Sequence, residues 1–152
     1  MSVEQNKRIA CELVQGLNSD HDDTAFDLLH ESASWTVMAH ADSFPVSGSM
    51  SKAEFVEHIK RFRQAIPSGI RIAVTGVTAE DVRVAVEAES TATLPNGRIL
   101  NQFYHFLFEI EHGKVRRARE YIDTAHGVAV HSARACSSSD RGPLSKTPPD
   151  IT

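Results

Sequence analysis

The stretch from Asn101 to Asp123 constrains the fold more than any other part of the chain. It reads as two long strands joined by a tight turn at His112-Gly113. Glycine suits the positive φ that such turns need, and the aromatic and β-branched flanks suit a pleated surface. The polar groups of this hairpin are out of pattern. Gln102, Tyr104 and Glu120 alternate with residues that would otherwise serve sheet packing. A hairpin that buries one face and still places a tyrosine and a carboxylate on it makes a candidate wall for a ligand pocket.

The chain before the hairpin divides into helices and then strands. Ile9, Ala10, Leu13, Val14 and Leu17 form an apolar stripe at helical spacing. Asp22 or Asp23 can cap a short second helix holding Ala25, Phe26, Leu28 and Leu29. Ala33 to Ala39 reads as a strand with the only tryptophan, Trp35, and residues 42–48 as a loop. Ser51-Lys52-Ala53-Glu54 is a capping box, followed by Phe55, Ile59, Phe62 and Ile66 along one helical face. From Ile70 the period drops to two. Ile70, Ile72 and Val74 alternate in one strand, and Val82, Val84, Val86 and Ala88 in the next. The order predicts an α+β fold, with three N-terminal helices packed on a strongly curved, mainly antiparallel sheet that forms a cone-shaped barrel.

With 152 residues the chain makes one domain, here taken as residues 1–131. Residues 132–152 are rich in Ser, Pro and Arg and are expected to be a disordered tail. The net charge is −4, and no basic stripe exists to displace phosphate counterions, so nucleic acid is not an expected partner. No apolar run approaches the ~20 residues needed to span a bilayer, and no signal-peptide core is present. Cys11 and Cys136 fall in a helix and the tail, which argues against a disulfide. A cytoplasmic protein is expected. No glycine-rich phosphate loop and no paired metal-ligand spacing occurs; His105, His112 and His126 form no zinc motif, so neither cofactor nor metal is expected.

Strand parity sharpens the pocket reading. One face groups Arg83, Ala85, Glu87, Glu89 and Thr91 with Gln102, Tyr104, Phe106, Phe108, Ala118, Glu120 and Ile122. The other groups Val82, Val84, Val86 and Ala88 with Phe103, His105, Leu107, Arg119 and Tyr121. If the first set faces the helices, carboxylates line a concave pocket. The apolar second set then forms a convex face, which predicts a homodimer through that face. The alternative is a bulge that shifts the parity and turns the carboxylates to solvent.

The three N-terminal helices, the capped third helix and the strand pair ending Gly113-Lys114-Val115-x-x-x-Arg119-Glu120-Tyr121-x-Asp123 resemble the nuclear-transport-factor-2-like cone fold over residues 3–130. Ketosteroid isomerase, limonene-epoxide hydrolase, scytalone dehydratase and the SnoaL-like polyketide cyclases share that fold. The resemblance to limonene-epoxide hydrolases implies an acid–base role at Glu120, with Glu89 at the position of their second catalytic carboxylate. Their bridging arginine falls on Glu87, and their water-positioning tyrosine and asparagine fall on Trp35 and Val37, which departs from that pattern. The base and oxyanion-hole acid of ketosteroid isomerase fall near Val37 and Phe106, which departs from that one. The resemblance therefore implies the fold and acid–base chemistry, without one named reaction.

The expected site pairs Glu120 as main acid/base with Glu89 as its partner. Two carboxylates in one apolar pocket cannot both ionise cheaply, which leaves one acid and one base. Tyr104 would stabilise a developing oxyanion. Gln102 and Trp35 would orient a carbonyl, and Glu87, Phe62, Phe106 and Ile122 would complete the substrate contacts. The expected ligand is a small, apolar, oxygenated compound. The expected chemistry is a cofactor-free isomerisation, cyclisation, dehydration or hydrolysis. Plainer readings stay open: Glu120 as the partner of Arg83 or Arg116, Tyr104 as core packing, and the whole domain as a non-catalytic ligand-binding or dimerisation module.

Overall fold

Two capping boxes start the long helices. In the computed structural model, which describes residues 1–132, Ser2 caps α1 (Val3–Gln15) and Ser51 caps α2 (Lys52–Ala65). In each, the serine hydroxyl accepts from the third helical amide, and Gln5 or Glu54 accepts from the serine amide in return. Asp22 caps a short 3-10 helix, Asp23–Leu28, as the sequence suggested. Arg63 ties these helices together. It donates to the carbonyls of Gly16 and Asn18, pairs with Asp23 at 2.9 Å and lies over the Phe26 ring. Gly16 admits no side chain, because an added Cβ would sit 2.0 Å from that of Ala25.

The strands are β1 (Leu29–Val37), β2 (Gly48–Ser51), β3 (Ile70–Glu80), β4 (Arg83–Thr93), β5 (Ile99–Leu100), β6 (Phe103–Glu111) and β7 (Lys114–Ile122). Their order is β2-β1-β7-β6-β4-β3, with β5 beside β4. Only β1 and β7 run parallel; every other pairing is antiparallel. The sheet curves around the helices but does not close, since β2 and β3 remain as edges. The cone is therefore an open sheet rather than a barrel. The predicted hairpin turn is present, with positive φ at both His112 and Gly113. That geometry matches the twist of the flanking strands.

The core lies between the concave face and the helices. Leu13 and Val14 of α1, Val84 and Val86 of β4, Phe106 and Phe108 of β6, and Val115 and Ala118 of β7 are all fully buried. Here the parity expectation needs correction. Val84 pairs with Phe108, Val86 with Phe106 and Ala88 with Tyr104, so these residues share the inner face. Glu89 pairs with Phe103 and Glu87 with His105, and all four are exposed on the convex face. No bulge intervenes between β4 and β6. β4 and the β5–β6 segment form one continuous hairpin closed by the 94–98 turn, so Ala92 with Leu100 and Val84 with Phe108 keep a single register, one residue away from the assumed phase. A one-residue offset moves every side chain to the other face.

A further helix, α3 (Thr124–Ser132), follows β7, where the sequence reading saw only a chain end. Asp123 accepts from the His126 amide and starts it. The expected tail lies outside the described residues from position 133 onward. No described helix is long and apolar enough to cross a membrane.

Candidate active site

The concave face, α2, α3 and the 38–47 connection enclose a cavity of about 440 Å³. Its floor is built by the hairpin and β1. Inner-face alternation brings Gln102, Tyr104 and Phe106 of β6 beside Glu120 and Ile122 of β7, and β1 adds Trp35 and Val37. Its roof is the apolar face of α2, with Phe55, Ile59 and Phe62. Phe44 and Val46 and the α3 residues Gly127 and Val128 close the sides.

Glu120 is the chemical centre of this floor. Among the described residues it is the one carboxylate that lines the cavity. Its Oε2 accepts a hydrogen bond from the Trp35 indole N–H at 2.7 Å. Burial raises its pKa from the usual carboxylate range to about 7, and the Trp35 bond, which favours the anion, opposes that rise. The arginine pairing is not formed. Arg116 is turned to the Ser32 carbonyl and to Glu111, and Arg83 stands on the outer face opposite Glu109.

Tyr104 is diagonal to Glu120 on the same face, since it pairs with Ile122 while Phe106 pairs with Glu120. Burial, then the nearby Glu120 charge, hold its hydroxyl protonated far above the usual phenol range. The Ser90 hydroxyl donates to the Tyr104 oxygen at 3.3 Å. That leaves the tyrosine's own proton to be donated elsewhere. The Tyr104 ring stacks on Phe106, and Trp35 stacks on Phe55 at 3.8 Å between ring centres, so both polar groups are held rigidly.

The other expected residues fall out as follows. Phe62, Phe106, Ile122 and Trp35 line the cavity. Gln102 lines it as well, but its amide is spent on the backbone: Nε2 donates to the Asp123 carbonyl at 2.9 Å and Oε1 accepts from Phe103. It fixes the start of α3 and holds less capacity to orient a substrate. Glu89 and Glu87 are absent from the cavity, because β4 presents them to the convex side. The expected carboxylate pair is therefore not assembled. The clue was in β4 itself: Val84, Val86, Ala88, Ser90 and Ala92 alternate with Arg83, Glu87 and Glu89 in a plain inside–outside pattern.

Two groups were not anticipated. His58 lines the roof three residues beyond Phe55, a spacing that puts both on one helix face. Burial, reinforced by Arg61, lowers its pKa, which keeps the imidazole neutral. His131 of α3 also lines the cavity, with Nδ1 bonded to the Gly127 carbonyl at 2.8 Å. The sequence signal for α3 was Asp123 standing ahead of the apolar run Gly127 to Val130. Among the described residues, no three His, Cys, Asp or Glu side chains converge as metal ligands.

Known structures share this architecture. TerC, co-crystallised with polyporic acid, superposes with a TM-score of 0.73 at 15% identity, covering 85% of this chain and 99% of that one. A nuclear-transport-factor-2-like protein of unknown function from Burkholderia pseudomallei gives a TM-score of 0.71 at 18% identity, covering 88% and 100%. A SnoaL-like polyketide cyclase candidate from Jannaschia sp. gives 0.70 at 16% identity, covering 86% and 94%. Identities this low speak for the fold alone. No functionally curated protein matches the sequence. The SnoaL-like domain profile matches residues 11–118, well over half of the chain, and the protein belongs to the SnoaL-like domain family.

Proposed function

We propose that the protein is a cofactor-free acid–base enzyme acting on a small, apolar, oxygenated compound, with Glu120 moving the proton and Tyr104 holding the oxygen. The observation that carries this reading is a lone carboxyl in an apolar cavity, poised near pH 7 and held by one Trp35 hydrogen bond. A group of that pKa is a competent base when ionised and a competent acid when protonated. In the simplest reaction, Glu120 removes a proton from a carbon next to a carbonyl. The electron pair moves onto the carbonyl oxygen, where Tyr104 donates a hydrogen bond to the enolate. Glu120 then returns the proton to a second carbon, which is isomerisation, or the enolate carbon attacks an internal carbonyl and Glu120 gives its proton to the alkoxide that forms, which is cyclisation. The polyketide-cyclase-like fold neighbours and the co-crystallised TerC agree with such a ligand class.

The test uses 2-tetralone in D₂O, with deuterium uptake beside the carbonyl followed by proton NMR. Wild type is expected to accelerate uptake, with a rate that rises through about pH 7 as Glu120 ionises. Glu120→Gln should lose about 10²-fold or more of that rate. Uptake no faster than buffer, or unchanged in Glu120→Gln, overturns the acid–base reading. Saturable binding without uptake would favour the ligand-binding alternative.

The convex face supports a homodimer. Phe103 and Tyr121 are 58% and 40% exposed there, flanked by Glu87 and Glu89 on one side and Arg117 and Arg119 on the other. A two-fold axis along β6 would lay β4 of each copy over β7 of its partner, with Glu87 level with Tyr121 and the exposed aromatic side chains inside the contact. The Phe103→Glu/Tyr121→Glu variant is expected to elute as a monomer in light-scattering chromatography. A wild-type monomer refutes the interface.

A further inference from the structure

We propose that His58 is a second polar anchor, so that the cavity selects flat apolar molecules carrying oxygen at both ends. This rests on the cavity being the substrate site and adds which substrates it prefers. The polar groups of the lining fall into separate sets. Glu120, Tyr104 and Trp35 stand together on the sheet floor. His58 hangs from the roof, on the α2 face whose Phe55 stacks on Trp35, and the next residues along that face are Ile59 and Phe62. Apart from Gln102, His131 and Ser132, the rest of the lining is apolar, with Val37, Phe44, Val46, Ile72, Leu100 and Ile122 among it.

His58 is half-buried, and neither ring nitrogen has a hydrogen-bond partner among the described residues. Among the described residues the buried side-chain atoms without a partner are Asn6 Oδ1 and Arg63 Nε, so the His58 ring remains accessible and free to take a ligand's hydrogen bond. His131 differs, since its Nδ1 is already bonded to the Gly127 carbonyl. A neutral imidazole offers one donor and one acceptor, so it can meet either a hydroxyl or a carbonyl oxygen. A ligand with one oxygen on Glu120 and Tyr104 can offer a second oxygen to His58 on the other wall. A molecule with only one oxygen would bury the imidazole against hydrocarbon.

Two naphthalene probes test this by calorimetric titration of the full chain. 2-Naphthol carries one hydroxyl, and 2,6-dihydroxynaphthalene carries one at each end. Wild type is expected to bind the diol about five- to tenfold more tightly, which combines one net hydrogen bond with the diol's twofold orientational advantage. In His58→Phe that preference should fall to about twofold, the orientational part alone, with 2-naphthol affinity kept within about threefold. His58→Gln, which retains a donor and an acceptor, should keep most of it. Equal affinities in wild type overturn the inference, as does a preference that survives in His58→Phe or binding of neither probe. Tetralone exchange is read separately, so the inference can fail while the acid–base reading stands.

Discussion

Glu120→Gln is expected to be more stable than wild type at pH 8 by roughly 2–3 kcal/mol, and by less than about 1 kcal/mol at pH 5. Glu120 has its pKa raised from 4.5 to about 7 in the folded state. Its favourable contribution is complete below the unfolded value, where both states hold the proton. As pH rises from about 4.5, the unfolded chain releases the proton and the folded chain retains it or buries a charge. The contribution is therefore lost progressively and is gone once pH has passed about 7. Glutamine is neutral throughout, keeps nearly the same shape and can still accept from Trp35. Urea denaturation at the two pH values reads the difference. A gap that does not change with pH would mean that the Glu120 charge is not buried. The same substitution removes the proton-transferring group, so the variant should gain stability while losing exchange activity. That opposition is expected where a site holds a charge the fold would rather exclude.

Trp35→Ala is expected to cost about 3–5 kcal/mol, the range for deleting a large core aromatic. Trp35 is 2% exposed, lies flat on Phe55 and meets Phe106 and Phe108 at an angle. Its removal opens a void where α2, β1 and β6 meet and strips Glu120 of its hydrogen-bond donor. Trp35→Phe separates these effects. It keeps most of the packing and deletes only the N–H. Its stability loss should be smaller, and the midpoint of the exchange rate should move to higher pH, because the Glu120 anion has lost its donor. Thermal denaturation together with the pH–rate profile checks both. A loss below about 1 kcal/mol in Trp35→Ala would contradict the packing described for the floor.

Local signals carried much of this fold. The capping boxes at Ser51 and at Ser2, the apolar stripes of α1 and α2, and the His112-Gly113 turn depend on contacts within a few residues. Such features are written in the spacing of side chains. The shared face of Gln102 and Tyr104 follows from alternation along the chain at the start of β6, whereas that of Tyr104 and Glu120 depends on how β6 and β7 pair. The turn alone would not have sufficed: its register, Glu111 with Lys114 and Ile110 with Val115, carried inward would set Glu120 against His105, and the bulge at Glu109/Ile110 supplies the one-residue shift that puts Glu120 opposite Phe106 on the face of Tyr104.

The partner of Glu120 was decided at longer range. Whether β4 shows Glu89 or Ala88 to the cavity depends on its register against β6, and that register is set by the 94–98 turn that joins β4 to β5. Periodicity gives two faces for a strand but does not say which face of the next strand each one joins. His58 reaches the site because α2 packs against β1 and β2 at the sheet's edge, and α3 encloses it because Gln102 and Asn96 bind its backbone ends from other elements. The sequence by itself determined most of the helices and strands from α1 to β7 and that Tyr104 and Glu120 would stand on adjoining strands. Only the tertiary structure decided that this carboxylate stands alone in an otherwise largely apolar cavity, because burial and cross-strand register arise between segments rather than within them.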